Sequence, residues 1–363
     1  SNYNRAYRVR MNVEHEANRF VKIGNNITLS RQEDGDQNNG SNSLGGAIAS
    51  ALRQLPNVSP YSATHVSGYN INYPTSSSMT PGANAQTVDD NFSNVAFTLR
   101  NNKYYSDKYR IINNSFIEVS PVQDLKIRSQ FGVDMLNDFS FQGLSPFHGD
   151  GYGTPTGGTN GSLYNASQNW LRLVWTNYFN YNLTAGNHSF FLTGGHELQR
   201  ETYKWFSATG TNISDVFFIK ENIISNVASI QSIGGNYDKR GFESFFGRLN
   251  YDFNNKYFAQ ATVRRDGQSA LAPGKKYGTF PGFSVGWRLS EEEFWKGSGL
   301  NAFLNEVKIK GSYAKVGNTL GGYPYLSTFG SAPYGNLSGI GPNAIGNPEL
   351  VWETSSKYDV GIE

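Results

Sequence analysis

The sequence predicts an all-β fold, an antiparallel transmembrane β-barrel, and three features of the chain support this prediction. First, stretches in which apolar and polar residues alternate occur in pairs; one of them, Leu125–Met135, is Leu-Lys-Ile-Arg-Ser-Gln-Phe-Gly-Val-Asp-Met. Second, a tight polar turn joins the two members of most pairs. Third, long segments rich in Gly, Ser and Asn separate the pairs. Because successive side chains of a strand point to opposite faces, such a sheet has an apolar outer face, a polar inner face and short turns at one end.

The composition agrees with this fold class and excludes several others. Of the 363 residues, 37% are hydrophobic, and no run of about 18 apolar residues exists, which excludes a helical membrane protein. Aromatic residues make up 14% of the chain, and transmembrane barrels place aromatic girdles at both membrane interfaces. The net charge of +2 is too small to favour nucleic acid as a partner, and the lack of cysteine excludes disulfides and thiol chemistry.

The alternation predicts eleven strands, most of them longer than the roughly 9–11 residues that cross a bilayer at the tilt of a barrel strand. The predicted strands are residues 3–16, 20–31, 106–120, 125–137, 169–183, 188–201, 241–253, 256–266, 281–289, 305–316 and 351–363. One longer connection between them, 290–304, is predicted to contain a helical turn. Eleven is about half of the 22 strands of a plugged transporter barrel. We therefore expect the remaining strands, an internal plug domain and a signal peptide to lie outside this chain.

The long connections are expected at the opposite end of the sheet, and two of them are rich in aromatic residues. The connection 202–240 supplies five candidate contacts for a substrate or a lid protein: Tyr203, Trp205, Phe206, Phe217 and Phe218. Aromatic side chains on loops stack on sugar rings or dock a partner, but they also form small cores of their own, and both alternatives stay open. The connection around 44–73 has the same alternatives for Leu52, Leu55, Tyr61, Tyr69 and Tyr73.

A charged cluster marks the end of one predicted strand. Arg264 and Asp266 share a face, and alternation with Tyr257 and Val263 predicts that this face is the lumen of the barrel. The cluster would form a charged rim that holds a loop or touches the plug. The alternative is a strand-to-loop junction in which Gly267 supplies the turn.

No pattern in the sequence predicts chemistry, so we expect no catalytic residue, no cofactor site and no metal site. The five histidines do not pair at ligand spacing. Carboxylates at alternating positions such as Glu14, Asp134 and Glu197 are explained by a polar lumen. This prediction favours transport over catalysis.

Several long motifs carry a resemblance to a known family. They are Tyr257–Ser269, Pro273–Arg288, Val307–Thr319 and the run Gly-Asn-Pro-Glu-Leu-Val-Trp-Glu that ends at Glu353. In these motifs the chain resembles the SusC/RagA family of TonB-dependent outer-membrane transporters of Bacteroidetes. The resemblance implies a plugged barrel in the outer membrane of a Gram-negative cell. It also implies a SusD-like surface lipoprotein as lid and energy from the TonB complex.

The predicted function is therefore nutrient uptake, with this chain as wall and extracellular mouth of the pore. The resemblance implies an oligosaccharide or an oligopeptide as substrate, and nothing in the sequence decides between them. One alternative is a passive porin or adhesin-like barrel without energy coupling. Another is a soluble β-sandwich that binds carbohydrate, which requires strands of about five or six residues packed on a shared core.

Overall fold

The computed structural model describes residues 3–36, 46–77, 79, 93–154, 157–213, 224–318 and 321–363. The strands are β1 (Tyr3–Asn18), β2 (Val21–Asp36), β3 (Lys103–Val122), β4 (Leu125–Leu144), β5 (Gly153–Thr154), β6 (Gly157–Gly158), β7 (Ser162–Ala185), β8 (His188–Thr211), β9 (Ser229–Phe253), β10 (Tyr257–Gln268), β11 (Tyr277–Arg288), β12 (Lys308–Asn318), β13 (Thr328–Ser331), β14 (Ile340–Ala344) and β15 (Glu353–Ile362). Apart from the short hairpins β5–β6 and β13–β14, all of them form one antiparallel sheet of eleven strands, here called the wall, in chain order. The predicted fold class and the eleven predicted strands are confirmed.

The helices are short. They are α1 (Ala47–Arg53), α2 (Val95–Asn101), α3 (Glu293–Lys296) and the 3-10 turns Gly149–Gly151, Ile224–Asn226, Leu289–Glu291 and Leu300–Ala302. The helical turn that the sequence predicts between β11 and β12 is present as α3. None of the helices in the described part of the chain is long and apolar enough to cross a membrane.

Several wall strands run beyond their predicted ends on the side of the long connections. β4 ends at Leu144, β7 begins at Ser162, β8 ends at Thr211 and β9 begins at Ser229. The prediction of one loop over 202–240 was therefore wrong. Gly, Ser, Thr and Asn are frequent in these strand ends, and their preference for turns suggested a loop. Pairing with the neighbouring strands satisfies their backbone groups and keeps them extended.

The tight turns lie at the other end of the wall, as predicted. Gly186 in the β7–β8 turn has a φ of 59°, which only glycine adopts without strain. Asn254 and Asn255 in the β9–β10 turn have φ values of 55° and 56°, a left-handed conformation that Asn tolerates better than most residues. We call this end of the wall the short-turn end and the opposite end the long-connection end.

The pairing register gives the wall one apolar face and one polar face. Leu192 on β8 pairs with Leu249 on β9, and the next pair along these strands is Thr193 with Arg248. We call the side that carries Leu192 and Leu249 the apolar face and the side that carries Arg248 the polar face. Large side chains on the apolar face are exposed, including Tyr7, Val9, Met11, Ile127, Phe131, Phe179, Leu198, Phe245, Val263, Phe283 and Val285. A continuous exposed apolar surface of this kind fits lipid and not water.

Aromatic side chains form a belt on the apolar face at the short-turn end. The rings of Phe190 and Tyr251 lie 4.9 Å apart, and those of Tyr257 and Trp287 stack at 6.4 Å. Glu292, in the connection that follows β11, accepts hydrogen bonds from the Tyr257 hydroxyl at 2.5 Å and from Trp287 Nε1 at 3.1 Å. These hydrogen bonds hold the pKa of the Glu292 carboxyl below its usual range, and the bond from Tyr257 has the largest effect. Rings with an apolar body and a hydrogen-bonded tip suit a membrane interface.

We expect Leu249→Arg to impair assembly of the barrel and Asn250→Arg, one residue along β9 on the polar face, to leave it intact. Leu249 pairs with Leu192 and Ala261 between the ends of the apolar face, where an arginine costs roughly 2–4 kcal/mol. The yield of heat-modifiable, membrane-inserted protein measures assembly for each variant of the whole receptor. Equal losses for the two variants would show that the register is wrong.

Candidate functional site

Three aromatic side chains form a row on the polar face towards the long-connection end. Trp170 on β7 pairs with Tyr203 on β8, and Trp205 lies two residues further along β8 on the same face. The Tyr203 hydroxyl donates a hydrogen bond to Gln168 Oε1 at 3.1 Å, and Gln168 pairs with Trp205. Strand pairing thus sets the three rings side by side on adjacent strands. We call Trp170, Tyr203 and Trp205 the aromatic row.

Charged side chains surround the aromatic row. Arg172 Cζ lies 4.6 Å from the centroid of the Trp170 ring, and Arg172 Nε donates a hydrogen bond to Glu201 Oε1 at 2.7 Å. Arg240 Nε donates to Asp238 Oδ2 at 2.9 Å. A hollow of about 380 Å³ is lined by Leu136, Asp138, Gln168, Trp170, Glu201, Tyr203, Asp238 and Arg240. Flat rings beside paired charges and an amide can hold the apolar side of a ligand while polar atoms bind its hydroxyl or amide groups.

The structure describes three of the five aromatic residues that the sequence grouped in one loop, and it divides them between the two faces of β8. Tyr203 and Trp205 belong to the aromatic row. Phe206, the next residue of β8, lies on the apolar face and is 64% exposed. Phe217 and Phe218 lie outside the described residues. The grouping was wrong for the first three because β8 continues through them, and alternation sends neighbouring side chains of a strand to opposite faces.

Arg264 and Asp266 lie on the polar face of β10, as predicted, and form an ion pair of 2.6 Å. Arg264 also lies 3.6 Å from Glu197 Oε1 on β8, so the network reaches across β9. Gly267 does not form a strand-to-loop turn. It pairs with Tyr277, whose ring a Cβ atom at this position would meet at 2.5 Å. A contact between this cluster and a loop or plug stays a prediction.

Two long connections fold together into a small core, which we call the loop core and define as residues 93–102 and 145–154. The ring of Phe97 on α2 meets the ring of His148 edge-on at 5.5 Å. The Asn94 backbone N–H donates a hydrogen bond to His148 Nε2 at 2.5 Å. Asn94 Oδ1 accepts a hydrogen bond from the Phe97 N–H at 3.1 Å, which caps α2.

Of the aromatic residues in the first long connection, some pack against the loop core and one lies at the surface. The Tyr69 ring meets the Phe97 ring edge-on at 5.4 Å. The Tyr73 ring meets the Phe147 ring edge-on at 5.1 Å. Tyr61 is 63% exposed, although its ring also lies near that of Tyr69. For Tyr69 and Tyr73 the alternative of a small internal core is therefore the correct one.

His148 is buried, and the sequence predicted no role for it. Its Nε2 accepts a hydrogen bond from Asn94, so the ring is neutral, and its Nδ1 has no hydrogen-bond partner in the described residues. Burial lowers the pKa of His148 to about 4. A proton on Nε2 would face an N–H donor in a buried site, which the loop core does not accommodate.

The fold and its two faces define the class of protein. One antiparallel sheet with an exposed apolar face, a polar opposite face and an aromatic belt at its short-turn end is the wall of an outer-membrane β-barrel. A family model described as "TonB dependent receptor-like, beta-barrel" matches residues 14–363, and the chain belongs to this family. Members of the family are transport receptors and not enzymes.

Curated relatives carry the same description. The chain is 27% identical, over 97% of its length, to the TonB-dependent receptor P3 of Formosa agariphila, of which it covers 34%. It is 31% identical, over 33% of its length, to the TonB-dependent receptor SusC of Bacteroides thetaiotaomicron, of which it covers 13%. The resemblance to SusC/RagA proteins that the motifs indicated is confirmed. The chain spans about a third of the length of receptor P3.

A solved structure shows the same fold. The match to the structure of the RagAB peptide transporter covers 99% of this chain and 38% of the matched chain, with a TM-score of 0.76 and 19% sequence identity. At this identity the likeness concerns the fold. The soluble β-sandwich that the sequence left as an alternative is excluded, because the long strands form a single sheet and not two packed ones.

We expect acid to open the loop core before it opens the wall. The unfolded segment binds a proton near pH 6.5, whereas folded His148 resists protonation down to about pH 4. The stability that the neutral ring contributes is therefore present above pH 6.5 and is lost as the pH falls towards about 4, by up to roughly 3 kcal/mol. Hydrogen exchange of the loop core in the whole receptor measures this loss, with β7 and β8 as the internal reference.

A His148→Phe variant serves as the control for this titration. It keeps a ring against Phe97 but has no proton to bind and no acceptor for the Asn94 N–H, so the loop core should exchange faster at neutral pH and should not respond to acid in this range. The same acid response in this variant and in the parent would assign the titration to another group.

Proposed function

We propose that the chain forms the wall and the extracellular mouth of a TonB-dependent transporter of the SusC/RagA type, which imports oligosaccharides or oligopeptides across the outer membrane. A SusD-like lipoprotein would deliver the substrate at the long-connection end. The TonB complex would act through a plug supplied by residues outside this chain. Membership of the family and the likeness to SusC and RagAB support this proposal.

The observation that carries the proposal is the aromatic row on the polar face. Tyr203 lies five residues beyond Leu198, which is still on the exposed apolar face of β8. From Phe190 to Leu198 the strand rises roughly 20 Å along the membrane normal, close to the apolar band of about 25 Å that outer-membrane barrels show. The aromatic row therefore lies at the level where the lumen opens to the outside.

The chemistry of the row suits both proposed substrate classes. Indole and phenol rings stack on the C–H faces of sugars, and Glu201, Asp238 and Gln168 offer acceptors for hydroxyl groups. The same rings hold apolar peptide side chains, while Arg240 in the hollow and Arg172 beside the Trp170 ring can bind backbone carbonyls or carboxylates. RagAB is described as a peptide transporter, and that description concerns RagAB itself.

A passive porin or adhesin-like barrel is the second candidate, and energy coupling separates the two. Uptake of labelled oligosaccharide and oligopeptide pools should stop in cells that lack the TonB complex if the proposal is correct. Uptake that continues at the same rate without the complex would favour the passive pore.

Orientation in the membrane gives a first test of the proposal. A cysteine in place of Ser331, exposed on the β13–β14 hairpin, should react with an impermeant maleimide on intact cells. A cysteine in place of Asn255, in the β9–β10 turn, should react only after the outer membrane is opened, because short turns face the periplasm. Reaction of the Asn255→Cys variant on intact cells would reverse the orientation.

A matched pair of variants on β8 tests the aromatic row. We expect Trp205→Ala combined with Tyr203→Ala to weaken substrate capture roughly tenfold, since each stacked aromatic contact is worth about 0.5–1.5 kcal/mol beyond burial. Phe206→Ala removes an aromatic ring from the same strand but from the opposite face and should leave capture unchanged. Capture and uptake by the whole receptor are measured with heat-modifiable mobility as the check on folding.

Two results would contradict the role of the row. Normal capture in the double variant would reduce Tyr203 and Trp205 to packing residues of the wall. An equal loss in Phe206→Ala would show that the effect comes from the strand and not from its polar face.

A further inference from the structure

Three cationic side chains lie close together on the apolar face near the long-connection end. Arg200 and Lys204 flank Thr202 on β8, two residues away on either side and on the same face. Lys239 on β9 pairs directly with Thr202, so it is the diagonal neighbour of both cations. Diagonal neighbours of this kind lie about 7–8 Å apart, which brings three positive charges around one residue. All three side chains are exposed.

No carboxylate of the described residues lies in ion-pair contact with this cluster. None of the three cations forms an ion pair there; Lys204 Nζ instead lies 5.2 Å from the centroid of the Tyr237 ring. The nearest acid on the same face is Glu243, which pairs with Leu198 and is a diagonal neighbour of Arg200. Its Oε1 lies 3.0 Å from His196 Nε2, and its other oxygen accepts a hydrogen bond from the Tyr277 hydroxyl. Like charges at this spacing repel each other, so an anion bound from outside the chain stabilises the cluster.

The cluster begins where the apolar band ends. Leu198 is the last large apolar side chain of the band on β8, and Arg200 is the next residue on that face. Beneath it runs a groove of about 420 Å³ in the apolar face. Its lining is mostly apolar, with Phe131, Leu173, Trp175 and Leu198, and it also includes Arg200, Glu243 and Lys276. Cations at the head of an apolar groove match a molecule with an anionic head and a hydrocarbon tail.

We propose that Arg200, Lys204 and Lys239 bind the phosphorylated headgroup of a lipid in the leaflet at the long-connection end, with one acyl chain along the groove beneath Arg200. The proposal rests on the insertion of this wall in a membrane, which is part of the proposed function. Arg200 supplies two parallel N–H donors for phosphate oxygens, and the two lysines supply compact charges on either side. A phosphate monoester carries nearly two negative charges and so meets most of the charge of the cluster.

The position of the site separates this lipid from transported substrate. Glu201 and Tyr203, between the cations in sequence, point to the polar face and line the hollow of the aromatic row. The cations point to the apolar face, on the other side of the same strand. A ligand held by the cluster therefore stays outside the barrel and does not pass through it.

Native mass spectrometry of the whole receptor, released from detergent, tests the proposal with two lipids. The probes are phosphatidic acid and diacylglycerol with the same acyl chains, so that they differ by the phosphate alone. We expect the receptor to retain phosphatidic acid and to lose diacylglycerol. The double variant Arg200→Gln, Lys239→Gln should retain phosphatidic acid roughly 30-fold less, since it removes two of the three cations that face the phosphate.

The matched control is Arg8→Gln, Arg10→Gln, which removes two cations from the polar face of β1. It changes the net charge by the same amount and should retain phosphatidic acid as the parent does. Equal loss in the control would assign the effect to total charge and overturn the site. Equal retention of both lipids by the parent would overturn the site as well. Displacement of phosphatidic acid by inorganic phosphate alone, at equal concentration, would also overturn it, because it would indicate an ion site without a lipid.

The assay does not depend on transport, so the two proposals fail separately. Lipid retention requires neither a substrate nor the TonB complex. Heat-modifiable mobility of each variant confirms that the barrel is assembled. A receptor that retains phosphatidic acid but takes up no oligosaccharide or oligopeptide would contradict the proposed function and leave the lipid site in place.

Discussion

The pairing register of the wall strands is the constraint on which the rest of this structure depends. A membrane interior offers no water to backbone N–H and C=O groups, so each strand has to bond both of its neighbours. Once Leu192 pairs with Leu249, the next pair is necessarily Thr193 with Arg248, and a slip of one residue would exchange the two faces. Both sites described above follow from this assignment, because the register alone decides which side chains of a strand meet.

Carboxylate partners for cations occur on both faces of the wall: on the apolar face, Arg31 donates hydrogen bonds to Asp107 at 3.1 and 3.0 Å. On the polar face, Arg110 forms two hydrogen bonds with Asp134, at 2.8 and 2.6 Å, and Arg172 bonds Glu201 on the adjacent strand. These cations meet carboxylates across strands and lend the lumen a polar surface with little net charge. On the apolar face above the band, Arg200 has no such partner among the described residues. Its partner has to come from the surroundings of the barrel.

The sequence predicted the features that depend on local alternation, and it failed where distant segments decide. The eleven strands, their two faces and the tight turns follow from neighbouring residues. Trp170 was not predicted as a contact, although alternation along β7 places it with Arg172, because its partner Tyr203 had been assigned to a loop. The loop core could not be predicted, since the bond from Asn94 to His148 joins residues 54 positions apart in two different connections.

One segment of β8 connects the membrane level to the mouth of the pore. From Arg200 to Phe206 the side chains alternate between the apolar face, with Arg200 and Lys204, and the polar face, with Tyr203 and Trp205. An extended strand is stiff over such a short distance, and β7 and β9 hold it on both sides. The depth at which the cations meet the headgroups therefore fixes the height of the aromatic row above the lipid. In this arrangement the outer surface of the barrel helps to set the geometry of its inner surface, with no contact between the two ligands.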